Sequence, residues 1–64
     1  MSETIRKTLS QLHRGQQVTV IYDGKLEDER LQITGTVVHI DSFWKTLQVN
    51  NIGIDFSEIC EILV

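Results

Sequence analysis

The longest regular pattern of apolar and polar positions in the chain covers residues 31–41. Its side chains alternate with the period of two that is typical of a β-strand, and only its second half is apolar on both sides. Leu31, Ile33, Val37 and His39 fall on one face. Gly35 lies where the pattern changes, and a residue without a side chain permits a bend or a close contact with another backbone. The pattern predicts one long strand, bent at Gly35, that belongs to both halves of a small sheet.

Shorter segments before and after this strand carry strand patterns as well. Asp23-Gly24 and Asn50-Asn51 are turn signals between them, and a single 3₁₀ turn is predicted over Ser57-Glu58-Ile59. The additional predicted strands are residues 17–22 with Val18, Val20 and Tyr22 on one face, 46–49 with Leu47 and Val49 inward, 52–56, and 60–64.

The N-terminal residues carry the narrower apolar stripe of a helix, at Ile5, Leu9 and Leu12. Ser2 or Thr4 is suited to cap the start of this helix, and Gly15 to stop it. His13 and Arg14 are then placed in the last turn, where a positive charge interacts favourably with the helix macrodipole. A helix with so narrow an apolar stripe is marginally stable alone and needs another apolar surface to pack against.

One helix followed by five short strands predicts a mainly β protein, a small five-stranded SH3-like or Sm-like barrel with one N-terminal α-helix. The predicted organisation is a single domain over residues 1–64, with the helix at about 3–14 and the barrel at about 16–63. Strands are expected to pair with their sequence neighbours, and the first strand with the last. The polar segment 25–30 is expected to project into solvent as the tip of the first hairpin.

The small size of the chain predicts that its own core needs support from a disulfide, a metal or oligomerisation. A domain of 64 residues is expected to have a margin of roughly 3–5 kcal/mol. The single Cys60 excludes an intrachain disulfide, and its apolar neighbours predict a buried small hydrophobe in a reducing compartment. The sequence contains no cluster of Cys and His residues that would suggest a metal site. Neither a metal nor a cofactor is predicted. Oligomerisation is the remaining source of additional stability. The apolar last strand predicts self-association through Ile59, Ile62 and Val64.

Charge and motif content argue against several functional classes. The net charge is −3 and the isoelectric point is near 5.1, so a broad basic surface for nucleic acid is not indicated. No apolar run approaches the ~18 residues of a membrane span, and the N-terminus lacks the apolar core of a signal peptide. The predicted location is cytoplasmic, without membrane contact. No nucleophile is paired with a base and no two carboxylates are placed for acid–base chemistry, so no enzymatic activity is predicted.

Several segments, in this order after the helix, carry a family likeness. They are Val18-Thr-Val-Ile-Tyr-Asp-Gly24, Gly35-Thr-Val-Val-His-Ile-Asp41, Leu47-Gln-Val49, Ile54-Asp-Phe-Ser-Glu-Ile59 and Glu61-Ile62. This order resembles the YolD-like family of small bacterial and phage proteins. The same skeleton is similar to the Sm-like fold, in which a glycine bends the second strand and an Ile-Asp pair ends it.

The two resemblances imply different partners. The YolD-like resemblance implies a non-enzymatic accessory protein, often encoded beside translesion-polymerase or mobile-element genes, whose partner would be a translesion polymerase or a host protein. The Sm-like resemblance implies rings assembled through the last two strands, with single-stranded RNA bound by two loops. The first loop matches as Asp41-Ser-Phe-Trp44. In the second loop, Ser57-Glu58-Ile59 occupies the place of the basic residue and glycine. This difference argues against RNA binding.

Two adjacent aromatic residues, Phe43 and Trp44, form the one feature that the predicted fold does not require. One alternative is that both cover the core or the helix. The other is that Trp44, beside Lys45, is exposed as a hot spot for a protein partner or as a stacking platform for a base or nucleotide. The predicted binding residues are Asp41, Phe43, Trp44 and Lys45.

The predicted function is that of a small non-enzymatic interaction module, of bacterial or phage origin, that self-associates and binds a protein partner. The alternative is Sm-like binding of single-stranded nucleic acid or a small nucleotide. Net acidity favours a protein partner over an extended nucleic acid, whereas a small nucleotide needs only one or two cations.

Overall fold

The protein is built from one helix and five antiparallel strands. The computed structural model describes residues 2–24 and 29–64. The elements are α1 (Glu3–Gln11), β1 (Gln17–Asp23), β2 (Arg30–Asp41), β3 (Thr46–Val49), β4 (Ile52–Asp55), a 3₁₀ turn (Phe56–Glu58) and β5 (Ile59–Leu63). The strands form one sheet in the order β4-β3-β2-β1-β5. The predicted class, mainly β with an N-terminal helix, is confirmed. In the described residues β4 and β5 are the two edges and do not pair, so the sheet is not a closed barrel.

The long strand β2 serves both halves of the sheet, as predicted. Residues 30–36 pair with β1 and residues 37–41 pair with β3. The ladder shifts its register between Val37 and His39, which leaves Val38 as an extra residue. One extra residue exchanges the two faces of a strand. His39 is therefore exposed and Ile40 packs against the core, so the prediction that His39 shares the inward face of Val37 is wrong.

Gly35 lies beside the point where β2 changes partners, but the irregularity of the strand is at Val38. Gly35 is buried and pairs in regular register with Val18. A β-carbon on Gly35 would lie 2.6 Å from Cγ of Asn50. The Asn50 side chain is held there because its Oδ1 accepts a hydrogen bond of 3.1 Å from the backbone N–H of Thr36. The glycine is thus needed for close contact with the β3–β4 turn.

Helix α1 begins as predicted and ends three residues early. Ser2 caps it, since its hydroxyl accepts from the backbone N–H of Ile5 at 3.1 Å. The helix stops at Gln11 because Leu12 adopts an extended backbone and turns its side chain into the core. His13 and Arg14 therefore lie beyond the helix, and their predicted place in its last turn is wrong. Gly15 has a φ of +91° in the turn that follows, where glycine is favoured.

A single apolar core joins the helix to the sheet. Its members come from every strand and from the predicted helix stripe, and α1 packs against β5. Ile5 and Tyr22 pack against this core from its margin. The inward positions predicted in β1 and β3 are confirmed. The buried residues are Leu9, Leu12, Val18, Val20, Val37, Leu47, Val49, Ile54 and Ile59.

The first hairpin is closed at its base by the hydrogen bond from the N–H of Gly24 to the carbonyl of Glu29, at 2.8 Å. The predicted projecting tip falls mostly on residues 25–28, which lie outside the described residues.

Beside the base of the first hairpin, Cys60 is half-buried, and its Sγ donates a hydrogen bond of 3.4 Å to the Asp23 carboxylate. Partial burial, followed by this hydrogen bond, raises the pKa of the Cys60 thiol. The prediction of a buried cysteine is wrong, because Cys60 is only half-buried and its sulfur reaches the carboxylate of Asp23.

Candidate functional site

The loop between β2 and β3, residues 41–45 and here named the aromatic loop, is held by its first residue. One carboxylate oxygen of Asp41, Oδ1, accepts hydrogen bonds from the backbone N–H groups of Phe43 and Trp44, each at 2.9 Å. The other oxygen, Oδ2, lies 3.8 Å from Nε2 of His39. The Trp44 N–H is the largest of the influences that hold the pKa of Asp41 below its ordinary value. Asp41 therefore fixes the backbone that carries both aromatic residues.

Both aromatic side chains point into solvent. Phe43 is 81 % exposed and Trp44 is 72 % exposed. Their ring centroids are 5.1 Å apart and the ring planes meet at 86°, which is the edge-to-face arrangement that aromatic pairs favour. The alternative that both rings cover the core or the helix is wrong. Large apolar groups so exposed and held next to each other are typical of an interaction surface.

The far end of the loop is tied to the 3₁₀ turn. Lys45 has a φ of +57°, the left-handed conformation that reverses the chain into β3. Its carbonyl accepts a hydrogen bond of 2.8 Å from the N–H of Phe56. The aromatic loop is thus anchored at both ends, by the Asp41 side chain at the start and by Phe56 at the finish.

Two shallow grooves flank the aromatic loop. One, of about 310 Å³, lies between the loop and α1, has apolar walls at Leu9, Ile40 and Phe56, and carries Arg6 and Lys45 as its cations. The other, of about 380 Å³, is lined in part by Trp44, Lys45, Asp55 and Phe56. Lys45 and Phe56 line both grooves. The structure therefore places Lys45, one of the predicted binding residues, between two partly apolar depressions.

The residues predicted for self-association have three different environments. Ile59 is only 6 % exposed and belongs to the core, so its side chain is not part of an exposed surface. Ile62 packs against the core from its margin. Val64 is 77 % exposed, and Leu63, which is not among the predicted residues, is 50 % exposed. The alternation of β5 places Leu63 opposite Ile62 and could have identified it.

Other chemistry is sparse in the described part of the chain. Across residues 2–24 and 29–64, no three His, Cys, Asp or Glu side chains come together as a set that could hold a metal ion. The one helix there, α1, is too short and too polar to cross a membrane. The exposed rings of Phe43 and Trp44 make the aromatic loop with its two grooves the candidate site.

The Asp41 carboxylate is expected to titrate below 3.8, the ordinary value for an aspartate. A lowered pKa in the folded state means that the charged form stabilises the loop above the unfolded pKa. This contribution is lost as the pH falls through the lowered folded pKa. A carbon-13 NMR titration of the carboxyl group measures the midpoint, and the amide protons of Phe43 and Trp44 should shift with the same midpoint.

Asp41→Asn is the matched control for this titration. The asparagine carbonyl oxygen accepts the same two hydrogen bonds, but it does not titrate. In this variant the amide protons of Phe43 and Trp44 should stay near their wild-type positions at neutral pH and should not shift in acid. A wild-type midpoint at or above 3.8, or amide shifts that persist in Asp41→Asn, would contradict this role for the carboxylate.

Comparison with known proteins identifies no relative, since no family model, curated protein or solved structure matches the chain. The YolD-like and Sm-like resemblances therefore stay predictions. Function has to be inferred from the geometry of the aromatic loop and of the surfaces around it.

Proposed function

We propose that this protein is a small non-enzymatic interaction module that self-associates and binds a protein partner through the aromatic loop. The observation that carries the proposal is the exposure of Phe43 and Trp44, 81 % and 72 %, on a loop whose backbone Asp41 holds with two hydrogen bonds. Aromatic residues are enriched at protein interfaces, and tryptophan is among the residues most enriched at their hot spots. A loop that is already ordered loses less conformational entropy when it binds.

The grooves beside the loop indicate the chemistry of the partner. Leu9, Ile40 and Phe56 offer apolar surface to a side chain of the partner, and Arg6 and Lys45 offer positive charge at its margin. Such a surface favours a partner in which an apolar residue is flanked by acidic ones. A translesion polymerase or a host protein, the partners implied by the YolD-like resemblance, are the candidates to examine first.

Self-association is supported by the two free edges of the sheet. Strands β4 and β5 each have a neighbour on one side only in the described residues, which leaves backbone hydrogen-bonding groups for a second copy. Leu63 and Val64, at the end of β5, add exposed apolar surface. A domain this small gains stability from burying such surface against a copy of itself.

Binding of a small nucleotide or of single-stranded nucleic acid is the second candidate. It is favoured by one observation, the exposed indole of Trp44 beside Lys45. A base stacks well on such a ring, and one or two cations suffice for a single phosphate. Trp44 is the only tryptophan, so its fluorescence reports binding directly. No quenching by oligonucleotides or cyclic nucleotides at low salt would count against this candidate.

The main proposal is tested by affinity capture with three forms of the tagged chain. Wild type and Trp44→Phe should recover the same partner from a bacterial lysate, because phenylalanine retains an aromatic ring. Trp44→Ala should bind that purified partner about tenfold or more weakly, as expected when a hot-spot residue is truncated. The far-ultraviolet circular dichroism of all three should agree, since Trp44 lies outside the core. Equal affinity of Trp44→Ala for the partner would overturn the proposal.

A further inference from the structure

A third groove lies where the base of the first hairpin meets β4 and is here named the acidic groove. It has a volume of about 350 Å³ and is lined by residues from distant parts of the sequence. Leu31 and Ile52 give it apolar walls and are 39 % and 38 % exposed. Asp23, Glu29 and Glu58 supply three carboxylates around these walls. The sequence carries no signal for this groove because only the fold brings β4 to the hairpin base.

Among the described residues that line it, the acidic groove keeps a negative charge after their contacts are counted. Arg30 lies 3.4 Å from the Asp23 carboxylate and offsets one of the three charges. Glu58 accepts a hydrogen bond of 3.3 Å from the N–H of Asp55, which orients its carboxylate without neutralising it. Glu29 folds its side chain against Gly24. An apolar floor with net negative charge at its rim favours an apolar ligand that carries a cation.

The aromatic loop has this complementary character. It presents the exposed rings of Phe43 and Trp44, and Lys45 follows directly. Among the described residues, those that line the acidic groove include no member of the loop. Within one chain the two aromatic rings stack edge to face on each other and stay exposed. Within the described part of the chain the loop and the groove are therefore matched in charge and apolarity, and the loop does not cover the groove of its own chain.

We infer that the aromatic loop of one copy docks in the acidic groove of the next copy. Trp44 would cover Leu31 and Ile52, and Lys45 would pair with the carboxylates of Glu29 and Glu58. The volume of about 350 Å³ is within the range of pockets that enclose an organic ligand. The contact joins two different surfaces, so copies would add head to tail and form a ring or an open chain.

This inference rests on the proposed function in one respect, since it takes the aromatic loop as the recognition surface. It adds that a second copy occupies the loop, so that a protein partner must compete with self-association. Charge complementarity selects the second copy as the occupant. Every copy carries one aromatic loop and one acidic groove, so the two surfaces are always present in equal amounts.

The test is a charge exchange between loop and groove, measured by light scattering at low salt. Lys45→Glu and Glu29→Lys each place like charges across the contact, and each alone should associate about tenfold or more weakly than wild type. An equal mixture of the two variants should recover association, because the side chain at position 45 of each copy then meets an opposite charge at position 29 of the next copy. The double variant Lys45→Glu/Glu29→Lys should recover it as well.

Trp44 fluorescence supplies a second readout at the contact itself. Emission of the wild type should move to shorter wavelength as the concentration rises, because the exposed indole becomes buried. The two single variants should show no such shift, and their mixture should show it again. Association of the wild type should weaken in about 0.5 M salt, where exposed charges are screened.

Three outcomes would overturn the inference. The first is a wild type that stays monomeric to about 1 mM, which also removes the self-association part of the proposed function. The second is assembly that persists unchanged in Lys45→Glu, which leaves self-association through β5 standing. The third is a mixture no larger than either variant alone. In all three cases the capture of a partner by Trp44 is decided separately, by the Trp44→Ala comparison.

Discussion

Replacing Leu47 with alanine is expected to unfold a large share of the molecules at room temperature. Leu47 has no exposed surface, and it sits on β3 between partners in β2 and β4. Removing a fully buried leucine side chain costs about 2–5 kcal/mol, the sum of lost burial and of the cavity left behind. A domain of this size has a margin of roughly 3–5 kcal/mol, so little or no free energy of unfolding would remain.

Urea denaturation followed by circular dichroism measures this loss. The midpoint of Leu47→Ala should fall toward zero urea, and amide proton dispersion in NMR spectra should be reduced. Trp44 fluorescence is a poor probe of unfolding because the indole is already 72 % exposed in the folded protein.

Leu63→Ala is the matched control, because it deletes the same atoms from a residue that is 50 % exposed. Measured at a concentration where the protein is monomeric, it should cost about 1 kcal/mol or less, since part of the leucine is hydrated in the folded state. If Leu47→Ala were as stable as Leu63→Ala, the core around β3 would not be packed as the structure has it.

The strands could be predicted well from the sequence because their signals are local. The alternation of Val18 and Val20, and of Leu47 and Val49, is enough to specify which face lies inward. The end of α1 was predicted too late because Leu12 fits both a helical stripe and an extended residue that enters the core. Only the position of the sheet decides between these two conformations for Leu12.

The inward face of β2 was harder to predict because a bulge leaves no clear sequence signal. Val38 looks like any other apolar strand residue, yet as the extra residue it turns His39 outward and Ile40 inward. Periodicity counts residues and assumes that each one advances the ladder by one step. A single inserted residue therefore reverses every assignment that follows it in the strand.

The candidate site was predicted in part. The adjacent pair Phe43 and Trp44 identified the loop, but whether the rings were exposed could not be decided from their identity. The structure shows both rings exposed, on a backbone that Asp41 holds with hydrogen bonds to the N–H groups of Phe43 and Trp44. The grooves join α1 to the loop and the hairpin base to β4, contacts that depend on tertiary structure alone.

Replacing Gly35 with alanine is expected to destabilise the protein by about 1–3 kcal/mol, the usual cost of adding a carbon to a filled site. The new β-carbon would lie 2.6 Å from Cγ of Asn50, so the asparagine side chain must move. When it moves, the hydrogen bond that its Oδ1 accepts from the N–H of Thr36 is lost. Asn50 itself is in the left-handed region, at a φ of +55°, which leaves its backbone little freedom to adjust.

Gly53→Ala provides the matched control on the neighbouring hairpin. A β-carbon on Gly53 meets no atom within 4 Å. The substitution should be neutral or should stabilise by about 0.4–1 kcal/mol, because alanine restricts the unfolded chain more than glycine does. Thermal and urea denaturation of the two variants, side by side, separates the effect of the collision from the general effect of replacing a glycine.

A double-mutant cycle assigns the cost of Gly35→Ala to Asn50. Asn50→Gly removes the side chain in the way, and glycine tolerates the left-handed backbone at this position. Gly35→Ala should therefore cost nothing further when it is added to Asn50→Gly, although it is costly in the wild type. Such non-additivity is the expected sign of direct contact. If the two losses simply added, the strain would lie in the β2 backbone, and Gly35 would be required for a bend rather than for the contact with Asn50.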